Sequence, residues 1–171
     1  ERGYYQASKT TKLALRALEA GHEWVVPCDA DEIWYSTFGR LGDVLAAHEG
    51  VDLVTAEMYD HVPTSEDDPD EADPTVRIGW RRRTRGALPK VACRLRPGLR
   101  IQMGNHNARY GHPPVVHEWG VTIRHYPYRS PEQFNRKAIN GAAAYAAAGK
   151  DLPETFGGHW RGYGKMIADH G

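Results

Sequence analysis

The stretch Glu23–Trp34, which reads EWVVPCDADEIW, decides how the rest of the sequence is interpreted. Its apolar run Trp24–Val26 has the length and the β-branched content of a buried strand. Acids follow, and in an extended chain the side chains of Asp29 and Asp31 project to the same side. Carboxylates held together repel one another unless a cation or hydrogen-bond donors compensate. The pattern therefore favours a site for a hard divalent ion such as Mg²⁺ or Mn²⁺, with a solvated acidic turn as the simpler alternative.

The composition is typical of a soluble globular protein, since 40% of the 171 residues are hydrophobic and 26% are charged. This length suffices for one domain with a hydrophobic core. A formal net charge of zero gives no general attraction to nucleic acid or to membranes. Cys28 and Cys93 form neither a metal-type spacing nor a disulfide framework, which predicts a reducing, cytoplasmic location. No apolar run approaches the roughly 20 residues of a membrane-spanning helix.

The order of the predicted elements indicates an α/β domain. Ser8–Ala20 is predicted to be a helix with one apolar face and with Ser8 as its N-cap. A strand at Trp24–Cys28, a helix at Leu41–His48 and a strand at Val51–Met58 follow it. This alternation predicts a sheet that is at least partly parallel.

The middle of the chain is divided into an acidic and a basic part. Ser65–Pro74 contains six acids and two prolines, which predicts a solvated, mobile loop. Between Arg77 and His117 there is no acid, but there are ten lysines or arginines. We interpret this stretch as an anion-binding wall, for phosphates or for the acidic loop, with a solvated basic face as the alternative. The strand-like pieces, expected to form hairpins or an antiparallel extension of the sheet, are Val76–Arg83, Val91–Leu95 and Val121–Tyr126.

The last predicted helix carries strong capping signals. Ser130 is a good N-cap, and Gln133 completes a capping box for a helix that reaches Ala148. Just before it, a predicted strand delivers His125 and Arg129. A helix N-terminus favours an anion, a planar guanidinium suits phosphate, and a neutral imidazole can bind a metal. Each of these residues alone also has a simple structural explanation.

Several other chemistries are disfavoured because their motifs are missing. His117-Glu118 lacks the second histidine of a zinc-protease helix. The sequence has no Gly-X-Ser-X-Gly elbow and no phosphate loop ending in Gly-Lys-Ser or Gly-Lys-Thr. Its nine histidines are scattered rather than spaced as a zinc site.

Taken in order, the motifs resemble those of family 2 glycosyltransferases of the GT-A type, in a bacterial subgroup with an Asp-Ala-Asp-Glu signature. The resemblance covers nearly the whole chain and implies a GT-A-like (Rossmann-like) mixed sheet flanked by helices. The matching residues are Trp24–Val26 with Asp29–Trp34, then Gly104–His106, His125–Ser130, Glu132–Phe134, Lys137, Asn140–Gly141 and His159–Arg161.

The resemblance also implies an activity: transfer of a sugar from a nucleotide-diphosphate donor to a glycan, lipid or other hydroxyl acceptor, with inversion of configuration. The implied cofactor is Mn²⁺ or Mg²⁺. Asp31 would bind the metal that bridges the diphosphate, Asp29 would lie near the ribose or the metal, and His125 would complete the metal site. The metal and Arg129 would stabilise the leaving diphosphate as charge develops. The candidate substrate-binding residues are Asp29, Glu32, Arg129 and Lys137.

The catalytic base is predicted to be His106 or Glu118, in that order, with Glu32 as the third candidate. In GT-A domains, the strands that bind the nucleotide base precede the Asp-X-Asp strand, whereas only about one helix precedes it here. We therefore expect residues 1–171 to be the C-terminal two-thirds of a single domain that lacks those strands.

Two alternatives stay open. A metal-dependent phosphohydrolase also places acids at strand ends, but it needs more downstream carboxylates than residues 77–117 contain. A non-catalytic carbohydrate- or anion-binding module would use the five tryptophans and the basic stretch. The distance between His125 and Asp31 discriminates among these, because a metal site requires their reactive atoms to lie within roughly 5 Å.

Overall fold

In the computed structural model, residues 5–86, 88–148 and 158–170 are described. Their contacts group them into two compact units. The first unit is Gln6–Tyr126 and contains the sheet. The second consists of the described residues within Glu1–Tyr5 and Pro127–Gly171, and its regular structure is two helices.

The first unit is built on a five-stranded mixed sheet. The central pair of strands is parallel, and the other neighbours are antiparallel. In spatial order the strands are β1 (Trp24–Val25), β4 (Lys90–Arg94), β3 (Leu53–Asp60), β7 (Val116–His125) and β2 (Glu32–Tyr35). The predicted α/β class with a partly parallel sheet is therefore confirmed. A small second sheet pairs β5 (Arg100–Ile101) with β6 (Ala108–Arg109).

Three helices belong to the first unit: α1 (Gln6–Glu19), α2 (Leu41–Ala46) and α3 (Pro74–Arg77), together with a 3₁₀ turn at Met103–Asn105. The predicted first and second helices are thus confirmed within two residues at each end, but Ser8, predicted as the N-cap, lies inside α1. Helix α1 ends just before Gly21, whose φ of 84° is readily adopted by glycine.

Two hydrophobic clusters lie on opposite faces of β3, because side chains alternate along a strand. Leu53 packs with Val91 of β4 and with Ala14 of α1. On the other face, Val54 packs with Leu45 of α2. Both faces are covered at this end of the strand, which explains why its first residues are almost all apolar.

The strand predicted at Val76–Arg83 is wrong. The segment begins with α3, whose N-cap Asp73 accepts a hydrogen bond from the backbone N–H of Thr75 at 2.8 Å. An irregular stretch follows, with an isolated β-bridge between His61 and Arg81. The β-branched residues suggested a strand, but an aspartate followed by a proline at the first helical position is a stronger local signal.

The strand predicted at Trp24–Cys28 is shorter than expected, and β2 was not predicted. Only Trp24–Val25 pairs with β4. Pro27 has no N–H to donate, which is a local reason for the ladder to end before it. The predicted strands at Val51–Met58, Val91–Leu95 and Val121–Tyr126 are confirmed with shifted boundaries. Residues 65–73 contain no helix or strand, in line with the predicted irregular loop, and its mobility stays a prediction.

The second unit is a pair of helices, α4 (Pro131–Ala148) and α5 (Gly158–His170). The predicted N-cap is confirmed, since Gln133 donates its backbone N–H to Ser130 Oγ at 3.1 Å. The side chain of Gln133 accepts from the N–H of Arg129 at 3.1 Å, rather than from that of Ser130 as in the predicted capping box. The two helices pack closely, since a Cβ on Gly164 would lie 2.7 Å from that of Ala142. Of the helices in the described residues, none is both long enough and apolar enough for a membrane crossing.

Asp52 ties together the end of the sheet where β3 and β7 begin. Its carboxylate accepts from Arg96 Nε at 2.8 Å and from the backbone N–H of Val115 at 3.0 Å, and its side chain is 3% exposed. Burial alone would raise the pKa of Asp52, but these two donors outweigh it and hold the pKa below its usual value. The ionised form is therefore preferred in the folded protein.

We expect Asp52→Asn to lower the free energy of unfolding by about 2 kcal/mol at pH 7, because charge-assisted hydrogen bonds are lost. A depressed pKa contributes stability above the unfolded-state pKa and loses it as the pH falls through the folded-state pKa. The stability difference between wild type and variant should therefore shrink below about pH 4. Urea unfolding at several pH values measures this, with the exposed Asp43→Asn as control; a difference that is constant with pH contradicts the assignment.

Candidate functional site

Polar side chains gather at one end of the sheet, where β3 and β7 finish and their antiparallel neighbours begin. The strand register places Asp60, His125 and Glu32 in one row across three adjacent strands. Residues in one row point to the same face of a sheet. Asp31 directly precedes this row, and its carbonyl accepts from the N–H of Tyr126 at 2.8 Å. Residues from three separate parts of the sequence thus meet at one edge.

The acidic stretch is a turn rather than an extended chain. The N–H of Glu32 donates to the carbonyl of Asp29 at 3.1 Å, which closes a four-residue turn. The expectation that Asp29 and Asp31 share one target therefore does not describe the observed contacts. The carboxylate of Asp29 contacts Lys90, whereas that of Asp31 lies beside His125.

A buried lysine holds the first part of this turn. Lys90 Nζ lies 2.6 Å from Asp29 Oδ2 and 2.8 Å from Glu32 Oε1, and the side chains of Lys90 and Glu32 are 5% and 1% exposed. The second oxygen of Glu32 accepts from the N–H of Asp29 and from Trp34 Nε1, both at 3.2 Å. With all these donors, Glu32 is a structural residue of the turn. Its burial gives no support to the roles predicted for it in substrate binding and catalysis.

The pairing determines the charge state of the lysine. Burial alone would lower the pKa of Lys90, but its hydrogen bonds to the two carboxylates outweigh burial and raise the pKa above the usual value. Lys90 is therefore a permanent cation at this edge of the sheet. Sequence reasoning missed it because, within a stretch of ten basic residues, nothing local distinguishes the one that is buried.

We expect Lys90→Met to lower the free energy of unfolding by about 3–5 kcal/mol, because it leaves a buried carboxylate without its cation. Replacing Glu32 by Gln in the same background should restore part of this loss. The matched control is Arg85→Met, which breaks the exposed pair with Glu57 and should cost at most about 1 kcal/mol. Chemical unfolding measures all three variants; equal effects for Lys90 and Arg85 would show that the buried pair carries no special stability.

His125 lies between two carboxylates. Its Nδ1 is 2.8 Å from Asp60 Oδ1, and its Nε2 is 3.6 Å from Asp31 Oδ2. Both partners are largely buried, with Asp31 11% and Asp60 23% exposed in their side chains. Burial alone would lower the pKa of His125, but the two carboxylates outweigh it and raise the pKa to about 9. In the protein without metal, the ring is therefore an imidazolium at neutral pH.

Asp31 and His125 carry the oxygen and nitrogen atoms that could act as ligands of a metal ion. Because a carboxylate only accepts, Asp60 fixes the proton on Nδ1, so a neutral His125 directs the lone pair of Nε2 toward Asp31. A metal between Asp31 Oδ2 and Nε2 would lie near 2.1 Å from each, which the 3.6 Å separation allows. Within the described part of the chain no group of three or more potential ligands is found. Two protein ligands with substrate phosphates and water completing the shell is the usual arrangement for Mg²⁺.

We expect the pKa of His125 near 9 to appear as a pH-dependent stability in the metal-free protein. A raised folded-state pKa contributes stability that is complete below the unfolded value and is lost as the pH rises through the folded value. Unfolding free energies should therefore fall between about pH 6.5 and pH 9, and Asp60→Asn should reduce this slope. NMR titration of the imidazole gives the pKa directly; a ring that is neutral at pH 7 contradicts the prediction.

The two residues predicted as the catalytic base, His106 and Glu118, lie in different parts of the first unit. His106 follows the 3₁₀ turn, and its Nδ1 lies 2.8 Å from the carbonyl of Pro89, next to Lys90 in the chain. Because a carbonyl only accepts, the proton is on Nδ1 and Nε2 is left as a base. Glu118 lies in an irregularity of β7, seven residues before His125. An extended strand of this length separates its ends by roughly 20 Å. Glu118 instead lines a cavity of about 230 Å³ with Glu57 and Arg85.

The remaining predicted residues belong to the second unit. Arg129 lies directly before the N-cap of α4, and its N–H donates to the side chain of Gln133. Lys137 Nζ lies 5.5 Å from the centre of the Trp160 ring, a cation–π distance. The roles predicted for both in donor binding stay predictions. The motif residues His159 and Arg161 have side chains outside the described part of the structure.

Comparisons with protein-family models, with curated proteins and with solved structures found no match. The resemblance to glycosyltransferases thus depends on the sequence motifs alone.

Proposed function

We propose that the protein is a metal-dependent, inverting glycosyltransferase of GT-A-like fold that uses a nucleotide-diphosphate sugar. The observation that supports this most directly is the pairing of Asp31 with His125. Their reactive atoms are 3.6 Å apart, which is within the distance required for a shared metal. A metal-free ion pair of protonated His125 with the two carboxylates is the simpler alternative, and the metal dependence of activity separates the two.

The charge at this end of the sheet favours a cation. Four carboxylates gather there, those of Asp29, Asp31, Glu32 and Asp60. Lys90 supplies one positive charge, and His125 must be neutral to bind a metal, so the formal charge of the metal-binding form is −3. A divalent ion offsets most of this charge, and the phosphates of a donor would complete its oxygen shell.

When bound, Mn²⁺ or Mg²⁺ supplies positive charge for the leaving diphosphate. The protein residues have separate tasks in the proposal. Asp31 and His125 hold the ion, Asp60 orients the ring of His125, and Lys90 fixes the turn that carries Asp31. Asp29, whose side chain is 40% exposed, offers its remaining oxygen to a donor hydroxyl. His106 is the preferred base for the acceptor hydroxyl, ahead of Glu118.

We assign this activity to the cytoplasm. Nucleotide sugars are the proposed donors, and both cysteines are free thiols, Cys28 exposed and Cys93 buried. Free thiols are maintained in a reducing compartment. The proposed acceptor is a hydroxyl group on a glycan, a lipid or another molecule.

The test is a screen of nucleotide-sugar donors with the full-length gene product, measuring release of nucleoside diphosphate with Mn²⁺ or with a chelator. Asp31→Asn should lower turnover at least about 100-fold, while Asp60→Asn should raise the Mn²⁺ concentration for half-maximal activity about 10–100-fold. Asp43→Asn, an exposed carboxylate on α2, is the matched control and should change neither value.

Other outcomes separate the alternatives. Sugar binding without turnover would indicate a binding module, and release of inorganic phosphate would indicate a phosphohydrolase. Full activity in the presence of the chelator, or in Asp31→Asn, contradicts the proposal.

A further inference from the structure

A basic, partly apolar surface lies along the segment that follows α3. Residues 80–86 run beside the last residues of β3: Arg82 donates its N–H to Asp60, and Gly86 donates to Met58, at 2.9 and 2.7 Å. These backbone bonds fix the path of a segment that is not a regular strand. We call residues Trp80–Arg85, Leu88 and Arg124 the basic edge; the backbone pairing directs Trp80 and Arg82 to one face of this edge and Arg81 to the other.

The arginines of the basic edge are exposed and mostly lack an acidic partner. Arg81 lies over the ring of Tyr59 at 4.6 Å, and Arg124 lies over the ring of Tyr35 at 5.1 Å. Cation–π stacking holds a guanidinium in place without neutralising its charge. The side chains of Arg82 and Arg83 form no hydrogen bond or ion pair with the described residues.

Two acids lie near these arginines. Glu57 pairs with Arg85 at 2.9 Å, and Glu118 lines the same cavity as Arg85, so the five arginines of the basic edge keep a net charge of about three, and four of them form no ion pair with the described residues. The acids of the preceding loop do not neutralise the others. Asp67 bonds to Thr64 and Asp73 to Thr75 within that loop, and no ion pair among the described residues joins it to the basic edge.

Exposed apolar side chains are interspersed with this charge. Trp80 is 59% exposed and Leu88 is 56% exposed, at the two ends of the arginine run. A purely solvated basic face has no need of them. Exposed tryptophan and leucine side chains next to arginines are typical of surfaces that enter the headgroup layer of a membrane. There the apolar side chains lie deeper in the bilayer than the guanidinium groups.

We propose that the basic edge docks the protein onto an anionic membrane surface. The occupant is a bilayer rich in acidic phospholipids, and charge complementarity selects it. The four arginines that form no ion pair with the described residues attract the phosphate layer, while Trp80 and Leu88 insert beneath it. This contact is separate from glycosyl transfer and does not depend on it. The net charge of zero for the whole chain limits the attraction to this region. Salt screening limits its range to about 8 Å at physiological ionic strength.

Single-stranded nucleic acid fits the same surface less well. Proteins that bind single strands offer aromatic rings with an open face for stacking of bases. Here Tyr35 and Tyr59 each carry an arginine over the ring. The hydroxyl of Tyr59 is also used, since it donates to Glu57 at 2.9 Å.

Cosedimentation of the full chain with vesicles tests the proposal. Binding is expected to vesicles that contain phosphatidylserine or phosphatidylglycerol, not to pure phosphatidylcholine, and to weaken with salt. The double variant R82Q/R83Q should lower the partition constant about 25-fold, at about fivefold for each arginine. R16Q/R100Q, which removes two exposed arginines elsewhere in the first unit, is the matched control and should leave partitioning within about twofold, a change below 0.5 kcal/mol.

The contribution of apolar insertion to vesicle binding is measured separately. Trp80→Ser should weaken binding while the salt dependence stays, because a charge-neutral change removes only insertion. Equal binding to neutral vesicles, no loss in R82Q/R83Q, or a loss of the same size in R16Q/R100Q would overturn the proposal. So would tighter binding to a single-stranded DNA oligonucleotide than to anionic vesicles at the same salt. Circular dichroism of each variant confirms that the fold is retained.

Discussion

The candidate site depends on one buried ion pair. Three carboxylates within four residues, together with Asp60 from β3, cannot be brought to one edge of a sheet unless positive charge accompanies them. Lys90 meets this requirement from the start of β4, and its two short contacts fix both ends of the Asp29–Glu32 turn. Asp31 lies between those ends, so its position beside His125 follows from the lysine.

The mixed topology of the sheet brings these groups together. Because β3 and β7 are parallel, both end at the same edge, which aligns Asp60 with His125. The antiparallel strand β2 starts at that edge and β4 contributes its first residue from nearby, so the acidic turn and Lys90 enter from the opposite chain direction. The outcome is a histidine oriented by one carboxylate and directed at another. That arrangement is the usual supporting geometry for an imidazole that binds a metal.

Two surfaces with opposite charge result from this fold. The edge with the four carboxylates carries a net negative formal charge, while the basic edge beside the end of β3 carries a positive one. A chain of zero net charge can therefore present a local field of either sign. The proposed transfer reaction uses the first, and the proposed membrane contact uses the second. The proposals rest on different residues, so each can fail without the other.

The sequence by itself determined the features that depend on neighbouring residues. Ser130 capped its helix as predicted, the first two helices formed close to their expected bounds, and the order of elements fixed the α/β class. Prediction from the sequence failed where two local signals competed. At Val76–Arg83 a strand was predicted, but the segment begins within α3. Local periodicity and capping act over three to four residues, so they can be seen in a single stretch.

Only the tertiary structure decided which residues meet. The strand register aligned Asp60 with His125 and placed Lys90 against the acidic turn, whereas it moved Glu118 away from them. These contacts join residues about 60 apart in sequence. Their formation depends on strand order and direction, since a shift of one residue would turn each side chain to the other face. For that reason the acids could be singled out in the sequence, but their lysine could not.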